Sequence, residues 1–265
     1  MAEIEFVTDE RGGVTVMRDG HPQSHVQPED PRLLVFEYIQ HLALVLDTLP
    51  TGPLGVTHIG GAGLTLPRYI EATRPGSPQI VLEPDVQLTE QVRREIPLPR
   101  RHRIRVRPIE GAAGIGALRD ASADVIVLDA YADGRVPADL TGTGFLNECA
   151  RVLAPTGVLL ANLADEPGLH FVRRFLATVP DALCERAVIA TNEVLKGRRF
   201  GNFVVAASAA PLDHAALRRA AARANFPTGV RLGAEVTALL RSIQPFGQLG
   251  EQSPQPPDPG AWRLR

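Results

Sequence analysis

The chain has 265 residues, with 28 Lys and Arg against 30 Asp and Glu and a formal net charge of −2, so it carries no electrostatic footprint for nucleic acid or an anionic membrane surface. Its length suits one sizeable core with appendages. Cys149 and Cys184, the 2 cysteines, are too few and too far apart for a disulfide scaffold or a zinc site, and both fall in segments that read as buried and reduced.

Met1-Ala2-Glu3-Ile4-Glu5 has neither the basic start nor the long apolar stretch of a secretory leader. No later apolar run reaches the roughly 18 residues of a membrane span, and a cytoplasmic protein is expected.

Residues 1–50 are read as an N-terminal unit. Glu3-Ile4-Glu5-Phe6-Val7 and Val14-Thr15-Val16-Met17 alternate apolar and polar positions around the turn signals Arg11-Gly12-Gly13 and Asp19-Gly20, which predicts a β-hairpin or small meander. Asp30-Pro31 then opens a helix with an apolar face from Leu33 to Leu46, ended by Pro50-Thr51-Gly52.

In residues 51–210, apolar strands near 54–59, 79–82, 104–108, 124–129 and 157–163 alternate with helical stretches, among them 144–153 and 168–178. The runs 185–190 and 200–208 follow one another without a long helix and read as an antiparallel edge pair. The expectation is an α/β fold with a mostly parallel, seven-stranded Rossmann-like sheet covered on both faces. Residues 211–246 read as a helical appendage, and 247–265, with Gln-Ser-Pro-Gln-Pro-Pro-Asp-Pro-Gly, as a disordered proline-rich tail.

The stretch Thr57-His58-Ile59-Gly60-Gly61-Ala62-Gly63-Leu64 closes an apolar run and opens a helix, and the next apolar run delivers Glu83-Pro84-Asp85. Glycines let a backbone approach a ligand, and a carboxylate about 20 residues further on can accept both hydroxyls of a ribose. A nucleoside site is therefore expected, although Gly-Gly-x-Gly departs from the dinucleotide spacing G-x-G-x-x-G. Asp129 ends the strand that begins at Asp124 and projects into the same crevice. A carboxylate there can serve as a general base.

The loop 130–141, with Tyr131, Asp133, Gly134 and Pro137, is long enough for a lid. His58 beside the glycine turn is expected to satisfy a local hydrogen bond. The remaining histidines show no metal-ligand spacing, so no metal is expected.

Taken in order, Asp19-Gly20-His21-Pro22-Gln23-Ser24, Phe36-Glu37-Tyr38, Gly60-Gly61-Ala62-Gly63 with Arg68, Glu83-Pro84-Asp85, Glu110-Gly111 and Asp124-Val125-Ile126-Val127-Leu128-Asp129 resemble the spermidine synthases and spermidine synthase-like proteins. The resemblance covers roughly residues 15 to 205. It implies a class I methyltransferase-like Rossmann fold with a small N-terminal β domain, commonly in homodimers or larger assemblies. It also implies a transferase acting on a small molecule, with S-adenosylmethionine or its decarboxylated form as cofactor and S-adenosylhomocysteine or methylthioadenosine as product.

Carried over residue by residue, Gln23 would touch the nucleoside end. The backbone of Gly60, Gly61 and Gly63 would run along the methionine-derived chain, and Glu83 would take the ribose hydroxyls. Glu110 would stand beside the adenine amino group, with Gly111 leaving room for the ring. Asp129 would deprotonate the attacking amine, with Tyr131 and Asp133 on the lid beside it, and Tyr38 and Gln40 would face the acceptor.

The chain departs from the polyamine-making members at several of these places. Gly63 replaces an aspartate that grips the ammonium of the decarboxylated cofactor, Ile39 and Gln40 replace the His-Glu that follows the tyrosine, and Ala132 replaces a second aspartate, with Asp133 adjacent. A diamine site needs carboxylates to offset the desolvation of two ammonium groups. Aminopropyl or related alkyl transfer to a small amine is the first expectation, methyl transfer from intact S-adenosylmethionine the second. A non-catalytic nucleotide-binding or oligomeric interaction protein is the third.

Overall fold

The computed structural model describes residues 3–257. Strands β1 (Ile4–Thr8), β2 (Val14–Arg18) and β3 (His21–Val26) form the expected small antiparallel sheet. Its first turn is held by Asp9, whose carboxylate accepts from the backbone N–H groups of Arg11 and Gly13 at 2.8 and 2.9 Å. In the pairing of β2 with β3, Val16 faces Ser24 and Met17 faces Pro22. Gln23 is thus the extra residue of a bulge, a device that re-aims side chains near functional clefts.

Helix α1 (Glu37–Thr48) begins later than Asp30-Pro31 suggests. Asp30 instead turns the chain: its carboxylate accepts from the Arg32 backbone and guanidinium, and its carbonyl accepts from Leu33 N. The remaining elements are β4 (Val56–Ile59), α2 (Thr65–Thr73), β5 (Gln79–Leu82), α3 (Val86–Glu95), β6 (Ile104–Arg107), α4 (Gly111–Gly116), β7 (Ala123–Leu128), α5 (Thr143–Val152), β8 (Leu153–Asp165), α6 (His170–Thr178), β9 (Glu185–Thr191), α7 (Asn192–Leu195), β10 (Gly201–Ser208), α8 (His214–Ala222), β11 (Thr228–Leu232) and α9 (Ala234–Leu239).

The main sheet has 8 strands in the order β11-β9-β10-β8-β7-β4-β5-β6. Strands β6, β5, β4, β7 and β8 are mutually parallel, while β10 runs antiparallel between β8 and β9. The sheet is one strand larger than the seven expected. β11 lies in the segment read as a helical appendage and pairs antiparallel with β9, so it, not the β9–β10 pair, forms that edge.

Period-two alternation distributes the core over both faces. On β7, Val125 and Val127 pack with α1, α2 and α8, whereas Ile126 and Leu128 pack with α4, α5 and α6. A third cluster joins Val16 and Val26 of the small sheet to Leu64, Val81 and the α3 residues Leu88 and Val92. The N-terminal sheet is thereby fixed onto the start of α2, beside the glycine turn.

Two expectations are corrected here. Residues 247–257 of the tail are docked at points although mostly exposed: Ser253 is fully buried, its Oγ accepts from Val136 N at 2.9 Å, and its carbonyl accepts from Arg135 Nε at 2.6 Å. A serine and backbone groups dock this segment, so its polar composition misleads; residues 258–265 lie outside the described residues. Cys149 is buried as expected, but Cys184 is exposed. No helix among the described residues is long and apolar enough to cross a membrane.

Candidate active site

β4 is the strand from which the chain proceeds first to β5 on one side and later to β7 on the other, which makes the carboxyl ends of β4 and β7 the switch point where open α/β sheets bind ligands. Register brings the ends together: Ile59 lies beside both Leu82 and Leu128, and Leu128 beside Ala161. The residues that follow these strand ends therefore line one edge: the glycine turn after β4, Glu83 after β5, Asp129 after β7, and Asn162 within β8.

The turn leaves β4 in an unusual backbone conformation. Gly60, Gly61, Ala62 and Leu64 have φ of 77°, 143°, 35° and 61°. Positive φ at Ala62 and Leu64 costs on the order of 1–3 kcal/mol each, a strain that persists where surroundings over-determine it and that clusters at ligand sites. A Cβ on Gly60 would meet the Asp129 carbonyl at 2.4 Å, so glycine is what lets the two loops touch. Arg68 ties the turn down from α2: buried, and without a carboxylate partner among the described residues, it donates to the carbonyls of Gly63, Pro97 and Ile96, and burial lowers its pKa to about 10.

Glu83 is half-buried, and its Oε1 accepts from Asp85 N at 3.0 Å. Burial pushes its carboxyl above the ordinary range. Asp85 caps α3 through Leu88 N and pairs with Arg18 at 3.4 Å, and Glu110 is exposed at the start of α4.

Asp129 accepts at Oδ1 from Asn162 Nδ2 at 2.9 Å. Burial raises its pKa to about 6, against the lowering effect of that bond. Tyr38, at the start of α1, shares this space. Burial first, and then the proximity of Asp129 and Tyr131, hold its phenol well above its usual pKa. Tyr131 donates from its hydroxyl to the Asn162 carbonyl at 3.2 Å and accepts from Asn202 Nδ2 at 3.2 Å.

The structure thus unites Tyr38, Asp129 and Tyr131, and sets Gly60 against the Asp129 backbone. Other expected site residues lie elsewhere. Gln40 is two positions from Tyr38 on α1, about 200° around the helix. It donates to the carbonyls of Leu34 and Val35 and accepts from Asn225, so its amide braces a loop. Asp133 is exposed with φ 50°, followed by Gly134 at 74° within an Ala132–Arg135 bridge; it serves a tight hairpin turn that favours Asp-Gly. The Tyr131 hydroxyl is engaged both as donor and as acceptor.

Two glycines are also accounted for by packing. A Cβ at Gly63 would meet Ser24 Oγ at 2.4 Å and the methyls of Val16 and Val26, and one at Gly111 would meet Ile59 Cγ2 at 2.4 Å. The place of the aspartate side chain expected at 63 is taken by the N-terminal sheet, and Gly111 closes α4 onto β4. Gln23, on its bulge, makes one long hydrogen bond, 3.5 Å to the His21 carbonyl. His58 pairs with Gln79 at 2.9 Å in the core, as anticipated, and burial lowers its pKa to about 4.

Asn162 and Asn202 were not singled out from the sequence, and Ser24 entered only as the last residue of a motif, with no role of its own. The available signal for the first was a lone amide inside the apolar run from Val158 to Leu163. Among the described residues, no 3 or more His, Cys, Asp or Glu side chains gather as a metal site would require.

Sheet order, the glycine turn at the switch point and the carboxylate opposite it define a class I methyltransferase-type α/β protein. Comparison with family models and with curated proteins gives no match. Among solved structures, a probable spermidine synthase from Corynebacterium glutamicum ATCC 13032 is 28% identical with a TM-score of 0.86 over 93% of each chain. A spermidine synthase in complex with the transition-state analogue AdoDATO is 18% identical (TM-score 0.57, 80% of this chain and 71% of that one). Human methyltransferase-like protein 13 in complex with SAH is 21% identical (TM-score 0.54, 80% and 96%); these two share the fold. The chain is thus similar over nearly its whole length to a probable spermidine synthase, and its neighbours of this fold are transferases.

Proposed function

We propose that this chain binds an S-adenosylmethionine-type sulfonium nucleotide along the carboxyl edge of its sheet and transfers an aminopropyl or related alkyl group to a small amine, with Asp129 as the base. The observation that carries the reading is the convergence of Tyr38 and Asp129 beside Gly60 at the switch point. The nucleotide, when bound, supplies a carbon already activated by a positively charged sulfur leaving group.

The chain's residues fit such a group. Glu83 is a desolvated carboxylate at the end of β5, a position at which ribose hydroxyls would stabilise its charge. Gly60 and Gly61 present backbone without side chains, and Gln23 and Glu110 are the further candidates for the nucleoside end. Asp129, with a pKa near 6, is ionised at neutral pH yet basic enough to take a proton from an ammonium or attacking amine held against it. Tyr38 and Tyr131 wall the acceptor position. Orientation of the amine supplies much of the remaining acceleration.

A second reading, methyl transfer from intact S-adenosylmethionine, is supported by Gly63: the turn carries no carboxylate to repel the cofactor's own, and Ser24, Val16 and Val26 fill the space one would use. Both readings place the enzyme in the cytoplasm as a homodimer or larger assembly, which light scattering would test. Thermal shift with S-adenosylmethionine, its decarboxylated form, methylthioadenosine and S-adenosylhomocysteine in parallel separates the two. Stabilisation by the decarboxylated form and methylthioadenosine supports alkyl transfer, stabilisation by the other pair supports methyl transfer, and no response to any of the four rejects both.

A further inference from the structure

We propose that Asn162 and Asn202 form a two-step positioning relay that fixes the Asp129 carboxylate, an assignment that rests on the reading of Asp129 as the base. In the antiparallel β8–β10 register Asn162 faces Val204 and Asn202 faces Ala164. The two asparagines are therefore diagonal neighbours on one face of the sheet, within side-chain reach. Asn202 Nδ2 donates to Asn162 Oδ1 at 2.9 Å, and Asn162 Nδ2 donates to Asp129 Oδ1 at 2.9 Å.

The order of the two bonds matters. The oxygen and nitrogen ends of an amide are nearly the same size, so packing does not choose between them; the hydrogen-bond network does. Were Asn162 to flip, its side-chain oxygen would face the Asp129 carboxylate, setting two acceptors against each other at a residue only 1% exposed. The donor from Asn202 excludes that flip. Tyr131 steadies Asn202, accepting from its Nδ2 while donating to the backbone carbonyl of Asn162.

Asp129 Oδ1 is thus committed to the relay, and Oδ2 is the oxygen offered to an acceptor. Neither asparagine is assigned contact with substrate. Both act through Asp129.

The test reads Asp129 itself and needs no substrate. Protein labelled with 13C at aspartate carboxyls is titrated by NMR, with the Asp129 signal assigned by its loss in Asp129→Asn. Asn162→Leu removes the donor to the charged form and is expected to raise proton affinity roughly tenfold. Asn202→Leu is expected to raise it less, and the double variant no further than Asn162→Leu alone. Asn162→Gln and Asn202→Gln, which keep an amide, should fall nearer to wild type than the leucine variants.

An unchanged Asp129 midpoint in folded Asn162→Leu overturns the relay, and an Asn202→Leu shift that adds in full to that of Asn162→Leu overturns its second step. If Asn162→Leu does not fold, Asn202→Leu at its half-buried position gives the same readout, and no shift there overturns the proposal. Failure of the parent reading shows separately, as no thermal response to any sulfonium nucleotide or its product.

Discussion

The backbone N–H of Gly63 donates to Ser24 Oγ at 2.9 Å in a buried contact, so a side chain from the small N-terminal sheet completes the glycine turn of the main sheet. The sheet and the turn are one mechanical unit: Thr65, at the start of α2, also donates to the His25 carbonyl at 2.9 Å.

Ser24→Ala leaves the Gly63 N–H buried and unpaired, which should cost about 1–3 kcal/mol. Gly63→Ala places a methyl 2.4 Å from Ser24 Oγ, and overpacking of this kind costs about 1–3 kcal/mol. Because the two changes act on one contact, urea denaturation of the double variant should show clearly less than the sum. Full additivity would mean that the contact does not couple the two sites.

Glu83→Ala is expected to weaken methylthioadenosine binding about 10–100-fold, since hydrogen bonds to a charged group are worth roughly 1.5–3 kcal/mol each. The fold should survive, because Glu83 is only half-buried and outside the three apolar clusters. Isothermal calorimetry on the soluble variant decides; wild-type affinity would remove Glu83 from the nucleoside site.

The docked tail makes a third expectation. Gly247 and Gln248 accept from Thr143 and Gly144 at the start of α5, and Thr141 Oγ1 donates to the Glu251 carbonyl at 2.8 Å while accepting from Glu251 N at 3.0 Å. These bonds hold the 130–141 loop that leaves the Asp129 strand end. Truncation after Phe246, which keeps that buried ring in the core, should speed amide exchange across 132–142 while leaving β4 and β7 protected. Uniform protection in both regions would show that the loop needs no such support.

How much of this was legible in the sequence depends on the range of the interaction. β5 was bounded at residues 79–82 because a short apolar run between turn signals is a local pattern. Likewise the place of Asp129 at a strand end was readable, because it directly follows such a run. The asparagine pair was not, since its members are 40 residues apart and meet only through strand register, which no local pattern encodes.

For Gln40, proximity in sequence to Tyr38 says little about a shared site, because two positions along a helix point about 200° apart and its amide is engaged with Leu34, Val35 and Asn225. At Gly63 the resemblance supplied a position but not the direction of a side chain. The tail failed because low apolar content predicts that a segment cannot build a core, not that it cannot hydrogen-bond to one already built.

The last expectation concerns Asp129→Asn, which keeps the shape of the side chain and an acceptor for Asn162 but cannot take a proton at neutral pH. Turnover should fall by on the order of 10²–10⁴ with little change in cofactor affinity. Stability should move the other way. Burial raises the folded-state pKa to about 6 from 3.8, so the folded protein binds this proton more tightly than the unfolded chain does. The favourable contribution of the protonated group is complete below the unfolded value and is lost as pH rises through about 6. At pH 8 the ionised carboxylate is a burden that the amide lacks, and Asp129→Asn should be the more stable protein by on the order of 1 kcal/mol. That advantage should shrink toward pH 4. A stability difference that is constant from pH 4 to pH 8 would mean that Asp129 titrates at its ordinary value, and with it would go the argument that this carboxylate is tuned to act as a base.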